Sequence, residues 1–271
     1  MMERPRPVHE TFSRWLLGLL LWFSLVGFFG AFNAAQLTSE GTGQRILSRA
    51  VAALIDIDAI LPKTEQDLHA AAAESNAATV QVPNYPIDVQ LPRQQALTIT
   101  GEDLRRVLLD TSASRAYDDG LGVLSASDPE AQRHISAFSS EGAIDKGLHQ
   151  ITGSIHIFWL IVTIVLGLPS LLALVGFMRA SPALSPAFVL AGFLLAAAAP
   201  SLLAILGMRL AFSQGDSDPF VASLLAVGKD ALWVPARNYI AICGLAIGIV
   251  VLTVAVNFAN REPPREQAIA G

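Results

Sequence analysis

Four long stretches of this chain carry no Asp, Glu, Lys or Arg: Trp15 to Ser39, Gly147 to Met178, Ala180 to Met208 and Asn238 to Asn260. Each is dominated by Leu, Ile, Val, Ala, Phe and Gly. A helix needs roughly 20 apolar residues to cross a hydrocarbon core of about 30 Å. All four stretches are long enough. The expectation is an all-α integral membrane protein with four transmembrane helices. A mainly helical extracytoplasmic domain with minor β structure is expected between the first and second spans.

The pattern places spans at 15–35, 154–178, 187–208 and 238–259, and the large polar domain at 36–150. A tail precedes the first span at 1–14, and a short turn lies at 179–186. A loop with an amphipathic helix fills 209–236, and a second tail fills 260–271. Hydrophobic residues are 52% and charged residues 15%, too apolar a balance for a soluble domain of 271 residues. The first stretch has Arg4, Arg6 and Arg14 ahead of it, as a signal peptide would. Its apolar run is longer than a signal core, and its exit lacks small residues at the cleavage spacing. It reads as a retained anchor.

Charge sets the orientation. The tails and the 179–186 turn carry Arg4, Arg6, Arg14, Arg179, Arg261 and Arg265, against three basic residues in the opposite short loop. Positive loops stay inside, so the termini are expected in the cytoplasm. The 36–150 loop holds 9 Lys/Arg against 16 Asp/Glu. That acidity argues against nucleic acid or an anionic bilayer face as its partner. No Asn-x-Ser/Thr acceptor occurs, which points to a prokaryotic plasma membrane. Cys243 is the single cysteine. A cysteine-bridged outer loop, as in claudins, connexins and tetraspanins, is therefore excluded.

Within the loop, Leu47, Val51, Leu54 and Leu61 recur at helical period, with Pro62 expected to interrupt the helix. Alternation at Val80/Val82 and Ile87/Val89/Leu91 predicts two brief strands, limited by Pro83, Pro86 and Pro92. Thr100 and Asp103 read as a capping pair opening a helix, with a break near Ser112 to Ser114. Asp128-Pro129-Glu130 reads as another helix start. Pro219 opens a helix whose face carries Phe220, Leu224, Val227 and Trp233. That face can lie at the bilayer surface or pack under the large domain.

Residues with chemistry are sparse. Asp145, His149, Thr152 and His156 form a polar stripe at helical spacing. His149 and His156 are seven residues apart, about 10 Å along a helix, too far to share an ion. Only Asp145 with His149 is a candidate metal pair, and the stripe reads first as an interfacial polar face. Pro169-Ser-Leu-Leu-Ala-Leu-Val-Gly176 nearly repeats as Pro200-Ser-Leu-Leu-Ala-Ile-Leu-Gly207. Pro169 and Pro200 are expected to kink their helices. Gly244 and Gly248 form a small-xxx-small pair for close helix packing. No span carries Asp, Glu, Lys or Arg, whereas ion-coupled transporters usually need such groups. No phosphate-cradling loop, His-Glu-x-x-His or Gly-x-Ser-x-Gly occurs, so neither a catalytic residue nor a cofactor is assigned.

One span, a large loop and then three spans resembles the order in the FtsX/MacB type of ATPase partner. Those proteins have a substantial cytoplasmic segment between the second and third spans. Here Arg179 to Pro186 is only eight residues, so the likeness is one of span order alone. The function expected is a non-catalytic accessory or interaction subunit. Its partners are the lipid bilayer and either another protein or a second copy. The alternatives are an oligomeric channel or transporter component, or a sensor that needs a signalling partner.

Overall fold

The structure, a computed structural model, describes residues 8–55, 57–120, 146–181, 185–214 and 218–259. In chain order its helices are α1 (Val8–Leu37), α2 (Glu40–Ile55), α3 (Ile57–Glu74), α4 (Arg93–Ala96) and α5 (Gly101–Asp119). They continue as α6 (Gly153–Ala180), α7 (Pro186–Phe212), α8 (Pro219–Ala231) and α9 (Trp233–Ala259). Two strands, β1 (Thr79–Gln81) and β2 (Gln90–Pro92), lie between α3 and α4. Four apolar segments are long enough to cross a membrane, as in a multi-pass membrane protein. The last apolar run, Val221–Ala259, is divided by a turn at Leu232 into α8 and α9.

The chain forms two compact units. One comprises residues 1–33, 161–206 and 235–271, and holds most of the spanning helices. Here α1 and α6 run antiparallel, with glycines of each facing large side chains of the other. A Cβ on Gly18 would meet Phe177 at 3.2 Å, and one on Gly27 would meet Leu166 at 3.1 Å. Conversely Gly167 faces Phe28 and Gly176 faces Leu17. Missing side chains bring the backbones close, where dispersion and hydrogen bonds can act without a hydrophobic drive.

Pro169 and Pro200 lie inside helices that continue past them. A proline has no N–H for the carbonyl four residues back. For Pro200 that carbonyl belongs to Ala196, and the Trp22 indole of α1 donates to it at 3.0 Å. Ser170 and Ser201, next to the prolines, donate to Leu166 O at 2.7 Å and Ala197 O at 3.2 Å. A second polar link joins α1 to α9. Asn238 Nδ2 donates to Asn33 Oδ1 at 2.7 Å, while Asn33 Nδ2 donates to Phe29 O at 2.8 Å.

The other unit comprises residues 34–160 and 207–234. Its main packing is α2 against α5, with α8 laid on α2. Ile46, Leu47, Ala50 and Val51 of α2 are buried, as the helical period requires. The side chain of Leu54 lies outside the described residues. The strands pair antiparallel with Val80 opposite Leu91, and Val82 N–H continues the ladder to Val89 O at 2.8 Å. Val80, Val82, Ile87, Val89 and Leu91 all point inward, onto a core shared with Leu68 of α3 and Leu104 and Leu108 of α5.

Three local expectations change. α2 ends at Ile55 and α3 begins at Ile57, and α3 runs through Pro62 rather than breaking there. Pro62 sits near the start of α3 and forfeits one backbone bond. Ile60 and Leu61 beside it pack on the core and hold the turn. Thr100 precedes α5 with extended backbone but makes no side-chain cap bond. Glu65 of α3 takes that place, accepting from Gly101 N–H at 2.8 Å. Finally, α5 does not break near Ser112. Ser112 is buried and hydrogen-bonded to the Tyr85 hydroxyl at 2.9 Å, so its polar group is satisfied inside a continuous helix. The helix start expected at Asp128 lies outside the described residues.

Candidate functional site

Three places in the 34–160 and 207–234 unit are candidates for a site. The first is the C-terminal end of α1. The last carbonyls of a helix lack an N–H four residues on. Ala35 is one of these, because Ser39 N–H goes to Gln36 O instead. His156 Nδ1 lies 2.9 Å from Ala35 O. A carbonyl only accepts, so Nδ1 carries the hydrogen and donates it. Thr38 Oγ1 donates to Ala34 O at 2.8 Å, and the Tyr117 hydroxyl donates to Thr38 O at 2.8 Å. The phenol pKa of Tyr117 is raised by burial first, then by Glu40 and Asp118.

Gly43 lets this arrangement close. A Cβ there would stand 2.7 Å from Ile151 Cγ2 and 3.1 Å from the Tyr117 ring. The predicted polar stripe thus separates by role. His156 closes the end of α1, and Thr152 stands at the start of α6, where its hydroxyl faces Ile155 N–H at 3.4 Å. His149 is exposed, and Asp145 lies outside the described residues. Among the described residues no group of three or more His, Cys, Asp or Glu could hold a metal ion.

The second place is a groove of about 460 Å³ between α2 and α5, lined by Gln44, Arg45, Ser48, Arg49 and Asp110. Arg49 forms an ion pair with Asp230 of α8, and Arg45 Nε donates to Gly41 O of its own helix at 2.8 Å. Both arginines are exposed, so the groove offers guanidinium groups and a carboxylate to an incoming chain.

The third is a cavity of about 340 Å³ with a mostly apolar wall. Leu37, Leu148, Trp159, Met208, Phe212 and Leu232 contribute to it, and Thr38 and Gln150 are its polar members. Nearby in the chain, the Arg209 guanidinium stacks on the Trp233 ring, 4.7 Å from its centroid.

The remaining residues singled out from the sequence lie in the spanning unit. Pro169 and Pro200 stand beside the hydrogen bonds described above. At Gly244 and Gly248 a Cβ would meet no described atom within 4 Å, so neither position lies against another described helix. The glycines in close contact are Gly18, Gly27 and Gly167, which lie outside any Gly-xxx-Gly spacing. Trp22, Glu65 and the two asparagines also carry no local pattern. The signal available for Trp22 was Pro200, which announces an unbonded carbonyl and therefore a donor. Comparison with known protein families, with curated proteins and with solved structures gives no match.

Proposed function

We propose that this chain is a non-catalytic accessory or interaction subunit of an envelope membrane complex. In this reading the termini lie in the cytoplasm of a prokaryotic cell. The domain between the first two spans lies outside the plasma membrane. The observation that carries the reading is a domain with its own apolar core, carried on spanning helices and presenting the α2–α5 groove. Arg45, Arg49 and Asp110 in that groove suit a partner segment with charged side chains of both signs. The excess of basic residues on the tails and the 179–186 turn supports the orientation.

Two measurements test it. In a Cys243→Ser background, an impermeant thiol reagent should label a cysteine at Asn76 in intact cells, and one at Ser185 only after lysis. The reverse pattern ends the orientation. A photo-crosslinking residue at Gln44 should capture one defined partner, while one at Lys63, exposed on α3 outside the groove, should not. Equal yields from both positions remove the groove from the proposal.

A second reading, an oligomeric channel or transporter component, draws on α9. Leu245, Ile247, Val251 and Leu252 are exposed on it, and none of the described residues covers Gly244 or Gly248. It requires a stable oligomer in mild detergent that conducts in planar bilayers.

A further inference from the structure

The apolar cavity sits at a revealing depth. Leu37 ends one candidate span, Trp159 lies early in the next, and Met208 and Phe212 end the third. These are the positions where hydrocarbon gives way to headgroups. An apolar wall offers water few hydrogen-bond partners, so such a cavity favours an apolar occupant. At about 340 Å³ it falls at the small end of ligand sites, with room for part of a lipid rather than all of one.

A cation adjoins its wall along the chain, though neither the cation nor its ring partner lines the cavity. Arg209 follows Met208 and lies one turn before Phe212, and its ring partner Trp233 follows Leu232. All three neighbours line the cavity. Stacking on Trp233 fixes the guanidinium plane. Its Nη1 is buried and has no hydrogen-bond partner. Arg209 takes no part in the Arg49–Asp230 or Arg105–Asp58 ion pair. The residue as a whole is still partly exposed, so it can be reached from outside. A guanidinium outside both of these ion pairs, at the level of headgroups, favours an anion, and its planar fork matches phosphate.

We infer that this is a phospholipid site, with one acyl chain in the cavity and the lipid phosphate against Arg209. The two halves are separable. The cavity supplies apolar burial without regard to headgroup, and Arg209 selects the phosphate. Trp159 and Trp233 are the ring types favoured at this depth.

The test uses the full chain, purified in detergent, delipidated and followed by native mass spectrometry. It is titrated with phosphatidylglycerol, with diacylglycerol of the same acyl chains, and with inorganic phosphate. The expected result is one tightly bound phosphatidylglycerol and weaker diacylglycerol. Inorganic phosphate alone should not bind. Arg209→Gln should weaken phosphatidylglycerol by about tenfold, the loss of one charge-assisted contact, and leave diacylglycerol unchanged. Ala231→Trp, which fills the cavity, should abolish both lipids while circular dichroism retains the helical signal. Equal phosphatidylglycerol affinity in Arg209→Gln and the parent overturns the inference, as does inorganic phosphate binding as tightly as the lipid. Should Ala231→Trp fail to fold, the headgroup comparison in Arg209→Gln decides alone.

Discussion

The two units of this chain sort side chains by size in opposite senses. In the spanning unit the small ones are inside: Ala31, Ala191, Ala197, Ala198, Ala236 and Ala246 are buried, alongside a few large ones such as Leu21 and Phe29. Leu20, Phe23, Ile164, Leu172, Leu203 and Leu252 face outward. In the other unit Leu47, Ile57, Leu68, Ile87, Leu104 and Leu108 are almost wholly buried. The difference follows from the solvent each meets. Burying apolar area from water stabilises by roughly 25 cal/mol per Å². Lipid tails are as apolar as Leu, so burying Leu between spans gains little. Close approach and hydrogen bonds then decide what goes inside. Polar groups follow the same division. Glu65 caps α5 and Tyr85 satisfies the buried Ser112 in one unit, while Trp22, Asn33 and Asn238 tie helix to helix in the other.

The sharpest break in this comparison would come from matched leucines. Leu104→Ala should destabilise its domain by about 2–5 kcal/mol, the usual cost of a buried truncation. Leu203→Ala, 70% exposed in the spanning unit, should stay within about 0.5 kcal/mol. Limited proteolysis of the domain in vesicles, with reversible detergent unfolding of the spans, reads both. Similar losses at the two positions would erase the contrast.

Glycines give the next effect. Gly43→Ala must displace Ile151 and the Tyr117 ring, a strain of about 1–3 kcal/mol. Gly248→Ala meets open space and should be silent. Thermal unfolding of the two purified variants separates them, and a silent Gly43→Ala would show that Ile151 and Tyr117 shift freely.

Trp22→Phe keeps an aromatic ring and removes the donor to Ala196 O. Interhelical hydrogen bonds in membranes are worth about 0.6 kcal/mol, up to about 1.7, so a loss in that range is expected in detergent unfolding. Trp22→Phe together with Pro200→Ala should recover most of it, since an alanine in place of the proline restores a backbone donor. Failure of the pair to recover would mean the indole matters for packing alone.

The smallest effect concerns pH. Burial raises the Tyr85 phenol pKa, and the Ser112 hydrogen bond lowers it by less. The fold therefore favours the protonated phenol. That contribution is fully present below the unfolded value of about 10 and is lost as pH rises through the higher folded value. Domain stability should fall above about pH 10 in the parent and fall less in Tyr85→Phe. Matching alkaline curves would assign the loss to other groups.

What the sequence made legible follows from range. The four apolar helices, the α2 face and the inward alternation of Val80, Val82, Ile87, Val89 and Leu91 are written in neighbouring residues. Glu65 capping α5, Ser112 held by Tyr85, and Trp22 serving Pro200 depend on residues brought together by folding. Gly244 and Gly248 show the converse. The local pattern is there, but contact needs a neighbour that the described residues do not supply. His156 reads from the sequence as part of an interfacial stripe. Its bond to Ala35 O depends on which helix end lies beside it, and no spacing along the chain carries that information.

The bond from Trp22 to Ala196 also has a schedule. Its partners are separated by 174 residues. Translation at about 5–20 residues per second leaves the first helix without this partner for roughly 9–35 s. During that interval the indole N–H, well inside the first span, is without this acceptor. Only the arrival of the third span supplies it. The first helix is therefore made early but finished late, and a chain halted before Pro200 would carry a visible mark of incompleteness.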